Sequence, residues 1–281
     1  MNTIIRIVVS AGLVMCLSGF MLFEKLFAPK PDLWTFWDVS DAADVTTVDH
    51  AVWSEFLHRY VARSADNVTS LAYDRVTPED RQKLALYVDY LSALTVRSFS
   101  KTSQLSLWIN LYNARTVLLI LENAPVKSIT DIKLSGGLFA FGPWGEKLMQ
   151  IEGQAISLND IEHRILRPIW RDPRLHYALN CASWGCPNLQ ETAFTPQNTN
   201  YQLDRGAYDY INHPRGVGQE NRGVILSKIY AWFASDFGDD TAALFAHLSR
   251  YADGELKKLL QSQPTINGYE YSWKLNKTAD N

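Results

Sequence analysis

Cys181 and Cys186 enclose four residues in the run His176-Tyr-Ala-Leu-Asn-Cys181-Ala-Ser-Trp-Gly-Cys186-Pro187. A cysteine becomes a nucleophile when an imidazole or a helix amino terminus lowers its pKa, so the histidines around this pair decide what it can do. His176 lies five residues before Cys181, and His163 falls within one to two turns of a helix start at Ser157. If Leu175 to Asn180 is a strand, His176, Ala178 and Asn180 share one face, while Leu175, Tyr177, Leu179 and Cys181 share the other. Cys181 then points away from His176. Cys186, returned by the Trp184-Gly185 turn, is the better placed thiol. A second reading is a disulfide: in an oxidising compartment two cysteines this close often pair, and the short loop gains little entropy from closure. A third is tetrahedral zinc held by His163, His176, Cys181 and Cys186, although the twelve residues between the histidines fit no standard ligand spacing. No other cofactor is expected.

Two amides add to this set. Trp108-Ile-Asn110-Leu-Tyr112-Asn113 places Asn110 and Asn113 three residues apart on one helix face, among residues that should be buried. A buried amide needs partners for its donors and acceptors. These amides either bridge neighbouring loops or orient a histidine and hydrogen-bond a substrate. Arg164, Arg167, Arg171 and Arg174 could bind a carboxylate or phosphate; their ordinary role is ion pairing with acids such as Glu162 and Asp172. Phosphate-cradling glycine loops, a dinucleotide fingerprint, H-E-x-x-H and G-x-S-x-G are all missing from the sequence. With 27 Lys and Arg against 30 Asp and Glu, a net charge of −3 and no basic run, nucleic acid is excluded as a partner. A small-molecule or peptide ligand is the expectation.

The elements that must carry these residues announce themselves by their caps. Thr77-Pro78-Glu79-Asp80 opens a helix expected to reach about Thr95. Thr102 or Ser103 opens the helix bearing the asparagines, which Ala124-Pro125 closes. Ser157-Leu-Asn-Asp160 is a capping box ahead of His163; Thr195-Pro196 and Asp240-Thr241 open two more helices. Lys147–Ile151 and Gln154–Ser157, joined by Glu152-Gly153, read as a hairpin. Gly223–Leu226 reads as a short strand, and Asn267-Gly268 as a turn before Tyr269, Tyr271 and Trp273. Helices and short strands interleave without a regular βαβ rhythm. The expected fold is α+β: a single domain of several helices packed on a small, mostly antiparallel sheet.

The amino terminus differs. Ile7 to Phe23 carries no charge, as in a signal peptide or a minimal membrane span. No good cleavage site follows, since Ala28 precedes Pro29, and Cys16 follows Met15 where a lipoprotein would have a small residue. The expected organisation is a signal peptide or anchor over 1–25, a tether over 26–48 and one domain over 49–281. Membrane association would run through residues 4–23. The protein would then be exported, to the periplasm or the outer face of the inner membrane.

Several motifs resemble the domain-of-unknown-function 547 family (DUF547). They are Trp108 to Asn113, Leu158 to His163, Asp172 to Cys181, Cys186-Pro187, Leu226 to Phe233 and the terminal Tyr271-Ser-Trp-Lys-Leu, in that order from about Asp49 onward. By this resemblance the family's motif positions fall on Asn110, Asn113, His163, His176, Cys181 and Cys186. Some relatives carry a glutaredoxin-like domain, which implies thiol chemistry, and cytosolic relatives weigh against a disulfide. Ser or Lys is common in the family where this chain has Trp184 and Gly185. The leading expectation is therefore a thiol-dependent hydrolase or transferase, with Cys186 or Cys181 as nucleophile, His176 or His163 as base, and Asn110 or Asn113 orienting. The rival is a non-enzymatic binding protein with a structural Cys181–Cys186 disulfide.

Overall fold

In a computed structural model, residues 29–134 and 142–279 are described. The signal or anchor expected over 1–25, and membrane association through 4–23, lie outside them. Among the described residues no helix is long and apolar enough to cross a membrane.

Helix α1 (Ala51–Tyr60) buries Trp53, Phe56, Leu57 and Tyr60 and leads into β1 (Val61–Arg63), which pairs antiparallel with β2 (Thr69–Leu71). The expected cap opens α2 (Pro78–Ser92): the Thr77 side chain accepts from the Asp80 amide, with proline at the first helical position. Helix α3 (Lys101–Asn123) starts one residue before the expected range, with Ser100 as its cap. Every residue from Ser106 to Leu121 is buried, so α3 is the central rod rather than an amphipathic surface helix. Its buried leucines, isoleucines and valine each contribute about 1.5–3 kcal/mol of burial, and they anchor the larger of two hydrophobic clusters.

Strands β3 (Met149–Ile151) and β4 (Gln154–Ile156) form the expected hairpin. Glu152 (φ 46°) and Gly153 (φ 78°) both adopt the left-handed conformation that a tight two-residue turn requires. The Ser157–Asp160 capping box is reciprocal: Ser157 N–H donates to Asp160 Oδ2 (2.8 Å) and Asp160 N–H to Ser157 Oγ (3.1 Å). What it opens is a π-helical segment, Asp160–Leu166, that runs into α4 (Arg167–Trp170). Then come a 3-10 turn (Pro173–Tyr177), α5 (Thr199–Ile211), β5 (Val217–Glu220), β6 (Gly223–Ser227) and α6 (Lys228–Trp232). Helices α7 (Thr241–Tyr251) and α8 (Gly254–Gln261) precede β7 (Ile266–Glu270). Asp240 caps α7 as expected, its carboxylate accepting from the Ala243 amide. The second hydrophobic cluster gathers Tyr177, Tyr210, Tyr230, Phe237, Phe245 and their neighbours.

The α+β class stands, with three corrections. The strands form three separate small sheets rather than one, and in the third (order β5-β6-β7) β7 runs parallel to β6. Leu175–Asn180 is not a strand. Asp172 accepts from the Arg174 amide (2.9 Å) and Pro173 fixes its own φ, so the chain winds into a helical turn instead. Asn267-Gly268 lies inside β7, because the Asn267 amide donates to Glu220 O (2.9 Å) and ties the strand across the sheet. Within residues 29–48, Trp37, 1 % exposed, and Val48 belong to the main core, and Trp37 meets Trp108 edge to face at 5.1 Å.

Candidate functional site

The π-helical segment, the 3-10 turn and the residues after α6 converge where the two hydrophobic clusters meet. The π winding presents Glu162 and His163 side by side, and such segments are rare and recur at functional sites. The 3-10 turn delivers His176. Asp236 comes from the short turn Ala234–Phe237 that follows α6.

His176 Nε2 lies 2.7 Å from Asp236 Oδ2. A carboxylate only accepts, so Nε2 carries the proton and Nδ1 is bare in the neutral ring. Asp236 is gripped from its other side by Arg167, whose Nε donates to Oδ2 (2.6 Å) and Nη2 to Oδ1 (3.1 Å). Burial pushes the Asp236 carboxyl up, but the bonds from His176 and Arg167 outweigh it and hold the group well below the usual carboxylate range. Phe233 stacks on the imidazole at 4.4 Å, fixing the ring plane. His176 is therefore oriented at one nitrogen and on one face. Its Nδ1 looks at Glu162 Oε1 across 3.9 Å, too long for a direct hydrogen bond.

Glu162 Oε1 is also 3.9 Å from His163 Nδ1, and Oε2 accepts from the Tyr112 hydroxyl (3.1 Å). Burial and the nearby Glu162 charge push the Tyr112 phenol well above its ordinary value, so it serves as a neutral donor. His163 plays a different part from His176. Its Nδ1 accepts from Arg167 Nη1 (3.0 Å), and burial pulls its pKa down to about 4 against the opposing pull of Glu162. It is a neutral, supporting imidazole. Arg167 Nη1 also donates to Pro29 O (2.7 Å), while the Asp32 and Trp34 amides donate to His163 O and Arg164 O. The segment expected as a tether thus straps the back of the π turn.

A wall of partly exposed rings is linked to Glu162 through the Tyr112 hydroxyl, which also meets Trp144. Trp232 packs on Tyr271 (4.9 Å) and Trp273 (5.7 Å), Tyr271 on Trp273 (4.7 Å) and Trp273 on Trp144 (5.6 Å). The cysteine loop forms its edge. Cys181 and Cys186 are joined in a disulfide, and Cys181 Sγ lies 2.9 Å from the Tyr271 hydroxyl, which also meets Ser183 Oγ (2.7 Å). Gly185 is required here: a Cβ would sit 2.8 Å from Ser272 N and 2.9 Å from the Tyr271 ring.

The expected partnership of Cys186 with His176 does not form. Cys186 is 3 % exposed, and its sulfur accepts from the Cys181 amide (2.9 Å). Among the described residues neither sulfur hydrogen-bonds an imidazole. With Leu175–Asn180 wound helically, the strand alternation behind that pairing is gone. Asn110 and Asn113 are also elsewhere than expected of orienting groups. Asn110 exchanges two bonds with the Phe194 backbone (2.8 and 2.9 Å); Asn113 donates to Ala178 O (2.8 Å) and accepts from Asn180 N (2.8 Å). Both amides bridge chain segments, and Asn113 fixes the stretch between His176 and Cys181. No group of three or more His, Cys, Asp or Glu among the described residues is arranged to hold a metal ion, so the four-ligand zinc arrangement is not formed. The arginines take the ion-pair role: Arg174 with Asp172 and Asp204, Arg164 with Asp160 and Asp32.

Sequence reasoning missed Asp236, Tyr112 as a donor, and Glu162 as a centre. Glu162 stands inside the motif Leu158 to His163, where the sequence offers it only as an ion-pair partner for arginine. Asp236 lies sixty residues from His176, with no local signal to connect them. Residues 96–211 match the family described as "Protein of unknown function, DUF547". The chain carries a DUF547 region. It spans Asn110, Asn113, Glu162, His163, His176 and both cysteines, whereas Asp236, Trp232, Tyr271 and Trp273 lie beyond it. No curated protein and no solved structure matches the chain.

Proposed function

We propose that this protein is a hydrolase or transferase of the cell envelope whose chemistry is acid–base catalysis at His176 and Glu162, not attack by a cysteine. The observation that carries this reading is the His176 imidazole, locked at Nε2 by Asp236 and with Nδ1 aimed at a partly exposed carboxylate 3.9 Å away. An imidazole oriented by a carboxylate is the arrangement of a general base. In the proposed step a water or substrate hydroxyl held by Glu162 gives its proton to Nδ1 as its oxygen attacks. The same proton then passes to the leaving group, so no charge is left behind. Asp236 stabilises the transient imidazolium, and Arg167 keeps Asp236 in place. The disulfide supports the ring wall through Tyr271.

A panel of chromogenic esters, amides, glycosides and phosphodiesters, assayed with the full chain, tests this. His176→Asn and Glu162→Gln should each lower turnover by roughly 10²–10⁴, the usual contribution of a positioned acid or base. The double variant Cys181→Ser/Cys186→Ser should keep most of it. Turnover that survives His176→Asn but disappears on replacing Cys181 would restore the thiol mechanism and refute this one.

A further inference from the structure

We infer that the ligand of this site carries an ammonium cation, seated between the Glu162 carboxylate and the Trp232–Tyr271–Trp273 ring wall. The inference rests on the reading that Glu162 and His176 form the site, and it names the class of molecule the site takes.

Charge is the first argument. Among the described residues Glu162 has His163 and His176 as ion partners, each 3.9 Å away. The arginines nearby are matched already: Arg167 by Asp236, Arg164 by Asp160 and Asp32, Arg174 by Asp172 and Asp204. His163 is held neutral by burial. The Glu162 side chain is 13 % exposed, so a ligand can reach it. A carboxylate at the edge of an aromatic wall complements a cationic ligand.

The rings supply the second argument. Aromatic faces carry negative charge density, attract cations within about 6 Å of the ring centre, and repel anions. Trp232 and Tyr271 contact each other directly, and Tyr271 is close enough to Glu162 to feel its charge. The Tyr112 hydroxyl bonds both Glu162 and Trp144, tying the far end of the wall to the carboxylate. Carboxylate and ring faces thus favour the same sign of ligand. A phosphate or carboxylate ligand is disfavoured by both.

Choline and its uncharged isostere 3,3-dimethylbutan-1-ol have the same shape and differ in charge, so they are the probes. Binding to the full chain is read by intrinsic tryptophan fluorescence and by calorimetry. Choline should bind about tenfold tighter than the alcohol, a ratio within the range expected of a partly desolvated cation–π site. Glu162→Gln should bring the ratio close to one, and Trp232→Ala should weaken choline several-fold. The wild-type ratio stands as a test by itself should either variant misfold. Equal affinity for the two probes, no saturable response to choline, or binding of methyl glucoside in preference to choline would overturn the inference. His176→Asn separates this from the proposed function. It should lower turnover by roughly 10²–10⁴ while leaving choline affinity within a few-fold; wild-type turnover without a choline preference would sink the ligand assignment alone.

Discussion

Removing the Asp236 carboxylate charge probes the construction of the site most sharply. In Asp236→Asn the shape is kept and the charge is lost. Arg167, whose side chain is 2 % exposed, would then face a neutral amide with Pro29 O and His163 Nδ1 as its remaining acceptors. Stripping one partner from a buried pair costs about 3–5 kcal/mol. The amide oxygen still accepts one bond, which places the expected loss near the lower end, about 3 kcal/mol. For a domain of this size that lowers Tm by roughly 6–12 °C, at 2–4 °C per kcal/mol. Urea denaturation of the wild type, Asp236→Asn, Arg167→Met and the double variant gives the coupling directly. The double variant should recover part of the loss, because it buries no unpaired charge. The pH dependence supplies a second signature. A carboxyl held below its unfolded pKa contributes stability that is complete above about pH 4 and is lost as pH falls through the folded value. Asp236→Asn should therefore flatten the acid arm of the stability curve below about pH 4. A loss under about 0.5 kcal/mol, the size of an ordinary surface substitution, with an unchanged acid arm would refute the reasoning.

Three further outcomes follow from the same contacts. Burial lowers the pKa values of His50, His163 and His247 to about 4, so between about pH 6.5 and 4 the unfolded chain binds more protons; stability should fall on acidification through that window, by up to roughly 1.4 kcal/mol per pH unit for each histidine, and His50→Gln should reduce the slope seen by calorimetry. Replacing Asn113 by Ala strands the Ala178 carbonyl and the Asn180 amide and should cost about 1–3 kcal/mol in urea denaturation. The disulfide encloses a loop of about five residues, for which chain entropy gives about 2 kcal/mol at 25 °C; the intact mass should rise by two hydrogens on reduction, with the midpoint of denaturation falling accordingly.

Helix caps and turns were the legible part of this chain. Thr77-Pro78, the Ser157–Asp160 box and Glu152-Gly153 each act through contacts within three or four residues, and each appears where the sequence placed it. Legibility failed where the deciding contact was distant. Asn267-Gly268 resembles a turn until the tie to Glu220 on β5 is known. Leu175–Asn180 alternates like a strand, yet Asp172-Pro173 winds it into a helical turn and so changes which residue meets His176. The site follows the same rule. His163 and His176 were singled out because reactive residue types stand close together in sequence. Asp236 and all of the ring wall but Trp144 arrive from the last fifty residues, and the π winding that carries Glu162 has no composition signature.

Catalysis by His176 depends most directly on which of its ring nitrogens carries the proton. Long-range nitrogen–proton correlation of the imidazoles, recorded on labelled protein near pH 8 and assigned with His176→Asn, reads the tautomer. The prediction is a proton on Nε2, donated to Asp236, with Nδ1 unprotonated and facing Glu162. A proton found on Nδ1, with Nε2 bare, would contradict the arrangement and remove His176 as the base.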